Sequence, residues 1–311
     1  MLTKSLSHLR HRAAAAGRLG GFSFPLRAPA LKQHAKEGLS RRMLSSSSNA
    51  EKSIALTSDE DGFATITLDR PQVHNAFSDV VIGELAEALE DASRVEGLRG
   101  LFVKANGKSF SAGGDLGWMK RAANYTDEQN EADALALSGF LHRLSTFPAP
   151  TIAIVQGPAF GGGVGLISAC DIAVGVESAK FMLSEVRLGL LPATISPYVI
   201  RRIGAAQCRR YFLTAEMFGA QRALEMGLLH EVSSDADGLA EWEASFRKSV
   251  MGNSPSGVTA SKELIDAVEG REIDETLMRD TARRLAEQRN SPEGKEGVGA
   301  FLEKRKPSWV R

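Results

Sequence analysis

The sequence predicts an α/β protein: one body of alternating strands and helices, followed by a long helical C-terminal region. Three observations carry this. Short apolar runs of strand length alternate with segments of helical periodicity as far as about residue 195, which is the pattern of crossover-connected β/α architecture. Two of those runs end in glycine-rich elbows, Ala112-Gly113-Gly114-Asp115 and Gly161-Gly162-Gly163. From Ile195 onward every periodic segment is helical.

The elements follow in order. Of the 38 basic and 38 acidic residues, nine basic and one acidic lie in residues 1–50, which leaves the remainder with a net charge of −8. That first segment is rich in Arg, Ala, Leu and Ser and ends in Arg41-Arg42-Met43-Leu44 before a serine run. It has the composition of a mitochondrial transit peptide and reads as disordered. A nucleic-acid-binding tail is the other reading, but the basic residues are dispersed among Leu and Ala, with no dense block. Residues 54–57 and 63–68 read as strands about the Asp59-Glu60-Asp61-Gly62 turn. Residues 79–94 are helical, with Val81, Leu85, Ala88 and Leu89 on one face. Residues 100–104 form a strand, 126–145 a helix, 151–155 a strand, 163–169 a helix, and 171–176 and 181–183 strands. Helices are expected at 196–203, 206–214, 221–226, 239–251, 257–268, 274–290 and 292–303. Residues 51–311 therefore read as one domain, with a core to about 195 and a helical region from about 196 to 311; no sequence repeat is visible.

Composition narrows the function. No apolar run approaches the roughly 20 residues that span a bilayer. Cys170 and Cys208 are the only cysteines, so there is neither a disulfide framework nor a cysteine metal cluster, and no metal site is expected. An acidic body argues against nucleic acid as the main partner.

The chemistry sits in the elbows. Glycine lets the backbone approach a ligand closely and take torsions that other residues avoid. A helix that starts at such a turn presents unpaired N–H groups and the positive end of its dipole. Two elbows can aim two N–H donors at one developing oxyanion. Glu185, twenty residues after Gly165, offers a carboxylate that can move a proton beside it.

These segments, with Ala169-Cys170-Asp171-Ile172 and the ending Ala300-Phe301-Leu302-Glu303-Lys304-Arg305-Lys306-Pro307-Ser308-Trp309, resemble the crotonase (enoyl-CoA hydratase/isomerase) superfamily from about Ile54 to the end of the chain. The resemblance implies a crotonase-type spiral of ββα turns with an all-helical C-terminal region. It implies that Gly114 and Gly162 supply the oxyanion-hole N–H groups and that Glu185 exchanges the proton at the α-carbon of a thioester. It matches Ala112, Gly113, Leu116 and Ala76 to the coenzyme A channel, and Phe301 and Lys304 to residues that reach CoA from the same or an adjacent subunit. Trp118 and Met119, after the first elbow, read either as acyl-pocket lining or as core filling. The implied partner is an acyl-CoA thioester, with CoA as part of the substrate and no separate cofactor. The implied assembly is a homotrimer or a dimer of trimers.

One departure matters. Two-acid hydratases of the family carry a second Glu where this chain has Gly165. Gly165 is then expected to be open space taken by the acyl chain. Flanking segments, Ser184-Glu185-Val186-Arg187-Leu188-Gly189-Leu190 among them, look like the branch of methylglutaconyl-CoA and isohexenylglutaconyl-CoA hydratases. In the mitochondrial matrix this favours water addition to 3-methylglutaconyl-CoA in leucine degradation. A Δ3,Δ2-enoyl-CoA isomerase with Glu185 as its single acid/base, or a non-catalytic CoA- or RNA-binding relative, are the alternatives. RNA is disfavoured by the acidic helix at 79–94, which holds Asp79, Glu84, Glu87, Glu90 and Asp91 against Arg94.

Overall fold

A hairpin opens the fold. The computed structural model describes residues 52–310, so the basic N-terminal segment and its expected transit-peptide character lie outside the described residues. Strands β1 (Ile54–Ser58) and β2 (Phe63–Leu68) pair antiparallel, in the register Leu56 to Ile66. Asp59 closes the turn by accepting from the N–H groups of Asp61 and Phe63. Gly62 takes the left-handed φ of +83° that the turn needs.

Four passes of the chain then repeat one plan. The first is β2, the extended residue Phe77, and α1 (Asp79–Ser93). The second is β3 (Gly100–Ala105), the segment 111–114, and helices α2 (Leu116–Ala122) and α3 (Asp127–Ser145). The third is β4 (Thr151–Val155), β5 (Ala159–Phe160) and α4 (Gly162–Ala169). The fourth is β6 (Ile172–Val176), β7 (Lys180–Met182) and α5 (Ser196–Thr214). The first strand of each pass adds, parallel, to one sheet in the order β1-β2-β3-β4-β6-β9. The short second pieces build the other wall: Phe77 bridges to Gly114, Ser111 bridges to Ala159, and β5 pairs with β7. This is a spiral of ββα turns, as the resemblance implies. Each second piece spans only one to four residues, too short to register as a repeat in sequence.

The core lies between sheet and helices. All five residues of β4 are buried, as expected for a parallel strand covered on both faces. Helix α1 turns Val81, Ile82, Leu85, Ala88, Leu89 and Ala92 inward, and Ser78 caps its start by accepting from Val81 N–H. Thr126 and Gln129 form a reciprocal capping box at the start of α3.

The C-terminal region is helical, with α6 (Ala220–Glu225), α7 (Ala236–Met251), α8 (Pro255–Val268), α9 (Glu275–Asn290) and α10 (Pro292–Leu302). It also holds two short strands that the sequence reading leaves out. β8 (Phe218–Gly219) pairs with β7, and β9 (Glu231–Ser233) pairs parallel with β6 and edges the large sheet. Two or three residues show no period, so they merge into the helical pattern around them. The helices expected at 196–203 and 206–214 are the two arms of α5, broken at Gly204, where φ is +77°.

Candidate active site

The first elbow leaves the end of β3 and turns at Gly113. Its φ of +86° is left-handed, and a Cβ there would lie 3.0 Å from the Phe160 carbonyl oxygen. Asp115 then caps α2, its Oδ1 accepting from the N–H groups of Gly117 at 2.8 Å and Trp118 at 3.1 Å. Arg70 pairs with the other carboxylate oxygen at 3.4 Å, and Asp115 has a lowered pKa. Burial acts the other way there and is outweighed by the backbone N–H donors and the guanidinium.

The second elbow joins β5 to α4. Gly161 has φ +48°, and its N–H donates to the Met182 carbonyl at 2.9 Å. Each glycine of the run is closely approached by a different group. A Cβ at Gly161 would lie 3.1 Å from Glu185 Oε1, one at Gly162 2.9 Å from the Phe77 ring, and one at Gly163 3.0 Å from the Cβ of Ser111. Helix α4 has no side-chain N-cap. The N–H groups of Gly114 and Gly162 find no acceptor among the described residues, although those of Gly113, Asp115, Gly161 and Val164 all do. Gly163 N–H, the next into α4, finds no acceptor among the described residues either, so the first elbow leaves one N–H group open and the second leaves two.

Glu185 completes the group. The parallel pairing of Phe160 with Met182 carries the chain past the glycine turn, and Glu185 starts a short 3-10 helix, Glu185–Leu188. Its Oε1 lies against Gly161, while Oε2 is buried with no hydrogen-bond partner. Burial pushes the carboxyl pKa up, offset in part by its own backbone N–H. A carboxylate held this way binds a proton more tightly than an exposed one, which suits a group that must both take and give a proton.

The sequence-predicted residues divide clearly. Ala76, Ala112, Gly113 and Leu116 come together around the first elbow. Ala112 N–H donates to the His74 carbonyl at 2.9 Å, Phe77 N–H donates to that of Gly113 at 2.7 Å, and Leu116 begins α2 with 76% of its surface exposed. The Met119 side chain lies 3.2 Å from the Cβ position of Gly114, and Trp118 Nε1 donates to Asp133 at 3.2 Å. Phe301 and Lys304 are not brought to the elbows within this chain. Helix α10 packs on α8 and α9, and Phe301 is 82% exposed.

The expectation of open space at Gly165 is corrected. A Cβ there would meet Ile195 Cγ2 at 2.1 Å, so the Ile195 side chain already fills the volume beside the backbone. Sequence reasoning missed Ile195, Phe77 and Ser111 because each acts through a contact between distant segments. Only the glycines they face gave a signal. Among the described residues, no group of three His, Cys, Asp or Glu side chains could hold a metal ion, and no helix is long and apolar enough to cross a membrane.

Comparison with known proteins agrees with this fold. A sequence profile of the enoyl-CoA hydratase/isomerase family matches residues 58–311. The crystal structure of an enoyl-CoA hydratase from Shewanella pealeana superposes with a TM-score of 0.80 at 46% identity, covering 84% of this chain and 97% of that one. A putative enoyl-CoA hydratase of Thermus thermophilus is 34% identical over 246 residues, 79% of this chain and 96% of that protein. A 1,2-epoxyphenylacetyl-CoA isomerase of Escherichia coli is 30% identical over 259 residues, 81% of this chain and 96% of that protein.

Proposed function

This chain belongs to the enoyl-CoA hydratase/isomerase family, and on that premise we propose that it is a hydro-lyase adding water across the α,β double bond of 3-methylglutaconyl-CoA in leucine degradation. The observation that carries the reading is the half-buried Glu185 carboxylate, its Oε2 buried and unpartnered, against an elbow whose Gly162 N–H is free. The thioester carbonyl oxygen accepts from Gly114 and Gly162 N–H. Attack of water on the β-carbon sends electron density to that oxygen, and Glu185 delivers a proton to the α-carbon. Each fixed donor is worth about 3 kcal/mol to such a state, and a positioned acid/base adds roughly 10²- to 10⁴-fold. The proton lost by water goes to the substrate's second carboxylate, or to Glu185 once it has given up its own. Ala76, Ala112, Gly113 and Leu116 border the CoA chain. CoA enters as part of the substrate, with no separate cofactor.

A second reading, isomerisation of a 3-enoyl-CoA to the 2-enoyl-CoA, is favoured by one observation. Ile195 closes the space at Gly165, so Glu185 works without a carboxylate on that side. Incubating the pure protein with 3-methylglutaconyl-CoA, crotonyl-CoA and a 3-enoyl-CoA, followed by mass, separates the two. Gain of one water on the dicarboxylic thioester supports hydration; a double-bond shift at constant mass, with no hydration of any thioester, would replace it.

We further place the enzyme in the mitochondrial matrix, as a homotrimer or dimer of trimers in which Phe301 and Lys304 of one subunit reach CoA at the same or an adjacent site. An intact Met1 on protein isolated from its source, or a stable monomer in sedimentation at micromolar concentration, would each overturn its part. An RNA role is disfavoured by α1, where Arg94 is already paired with Glu90 and Asp91.

A further inference from the structure

One buried amide ties the 74–77 loop to the first elbow, and we propose that Asn75 is a positioning residue that sets the direction of the Gly114 N–H. This rests on the reading of Gly114 and Gly162 as donors to a thioester carbonyl. Asn75 is 2% exposed and has a left-handed φ of +54°, as does His74 before it. Asn enters that region more readily than most residues, but two such residues in succession need to be held.

The side chain does the holding. Its Oδ1 accepts from Arg70 N–H at 2.8 Å. Its Nδ2 donates to the carbonyls of Asn106 and Ser109, both at 2.9 Å, which lie in the segment between β3 and the elbow. The Asn75 carbonyl accepts from Ser111 Oγ at 2.9 Å, and that same Oγ accepts from Gly113 N–H at 3.3 Å. On either side, Ala112 N–H donates to the His74 carbonyl at 2.9 Å and Asp115 N–H to that of Phe77 at 2.7 Å. From Ala112 to Asp115, every N–H but that of Gly114 is thus committed to the 74–77 loop or to the serine bonded to it.

Ser111 extends the tie to the second elbow. Its carbonyl accepts from Phe160 N–H at 2.8 Å, and its Cβ would touch a side chain at Gly163 at 3.0 Å. The Asn75–Ser111 pair therefore links both donor-bearing turns. Donors that act by being fixed in advance lose their effect when their direction slips, and a displacement near 1 Å can cost about 10²-fold in rate.

The test uses Asn75→Gly, which keeps the left-handed backbone without strain and deletes only the amide. We expect kcat to fall about 10- to 100-fold while the affinity for butyryl-CoA, an unreactive probe, stays within roughly threefold, as for a loss confined to the reacting state. With carbon-13 at the butyryl-CoA carbonyl, infrared spectroscopy reads the donors directly. The bound wild-type enzyme should lower the C=O frequency, and the variant should lower it less. A folded Asn75→Gly protein with wild-type kcat and the full frequency shift overturns the positioning role. No shift in the wild type overturns the donor reading itself, and this inference with it. If Asn75→Gly does not fold, Ser111→Ala takes its place, with a loss of roughly 3- to 10-fold in kcat and a reduced shift expected; unchanged values there overturn the role.

Discussion

The two ends of α4 are built by opposite rules. At its start, Gly162 N–H has no acceptor, no side chain caps the helix, and the nearby Glu185 Oε2 has no partner. At its end, Ser168 Oγ is also buried without a partner, but the charged groups are heavily paired. Asp171 Oδ2 accepts from Thr151 N–H at 2.8 Å, Thr151 Oγ1 at 3.0 Å and Lys262 Nζ at 2.7 Å. Arg202 donates to the carbonyls of Cys170 and Asp171. The Cys170 thiol has its pKa pushed up to about 12, chiefly by burial. Between the ends, every residue from Gly163 to Ala169 is buried. An unpaired buried polar group costs about 1–3 kcal/mol. The tied end holds the helix in place, so that the other end can keep such groups waiting for a ligand.

The contrast breaks first, and most severely, at Glu185. Glu185→Gln keeps the shape but removes the titrating proton. Turnover should fall by about 10²-fold or more, with the affinity for CoA thioesters nearly unchanged. Steady-state kinetics on the thioester that the wild type converts decides this; wild-type turnover in the variant would remove Glu185 from the chemistry.

The tied end should respond in stability instead. Asp171→Asn puts an amide among Thr151 and Lys262, whose side chain is only 13% exposed beside the 31% of Asp171. Losing the charge-assisted bonds should cost about 2–3 kcal/mol in chemical denaturation. Turnover per folded molecule should stay within about twofold, since the damage lies in the folding equilibrium. A large loss of kcat with normal stability would mean that the two ends are not separable in this way.

Gly165 lies on the same helix, between the two ends. Gly165→Ala would press a methyl onto Ile195 at 2.1 Å, and overpacking of this kind costs about 1–3 kcal/mol. Ile195→Ala in that background should recover part of the loss, a coupling that a double-mutant cycle measures directly. Additive losses would show that the Ile195 contact is not what keeps residue 165 a glycine. A second carboxylate therefore cannot be installed at 165 without first reducing Ile195.

This pair also shows what sequence can and cannot carry. The glycine elbows and Glu185 are legible because close backbone approach restricts residue choice, and the restriction is written locally. The helices from α7 to α10 are long enough to show a period. Ile195 is not legible, because it meets Gly165 from thirty residues away and looks like any apolar residue ahead of a helix. Asn75 and Ser111 are small polar residues in loops, a common sight, and only their partners distinguish them. Strands β5, β8 and β9 are too short for alternation to appear, so the second wall of the spiral comes from resemblance and not from periodicity.

The smallest expected effect is a pH dependence that also belongs to the open end. Burial raises the Glu185 pKa in the folded protein above its value in the unfolded chain. Below the unfolded value both states hold the proton, and the wild type and the Glu185→Gln variant should differ little in stability. As pH rises, the unfolded chain releases its proton first, which favours unfolding; the relative loss grows until pH passes the folded value and then levels off. Wild type should therefore melt below the Glu185→Gln variant at neutral pH, by roughly 2–4 °C if the difference is about 1 kcal/mol, and the gap should close on acidification. Thermal melts of both proteins across this range, at fixed ionic strength, give the comparison. A gap that is constant with pH would trace to side-chain packing, and one that widens towards acid would mean that the folded site holds the carboxylate more easily than water does, the reverse of what a buried oxygen without a partner requires.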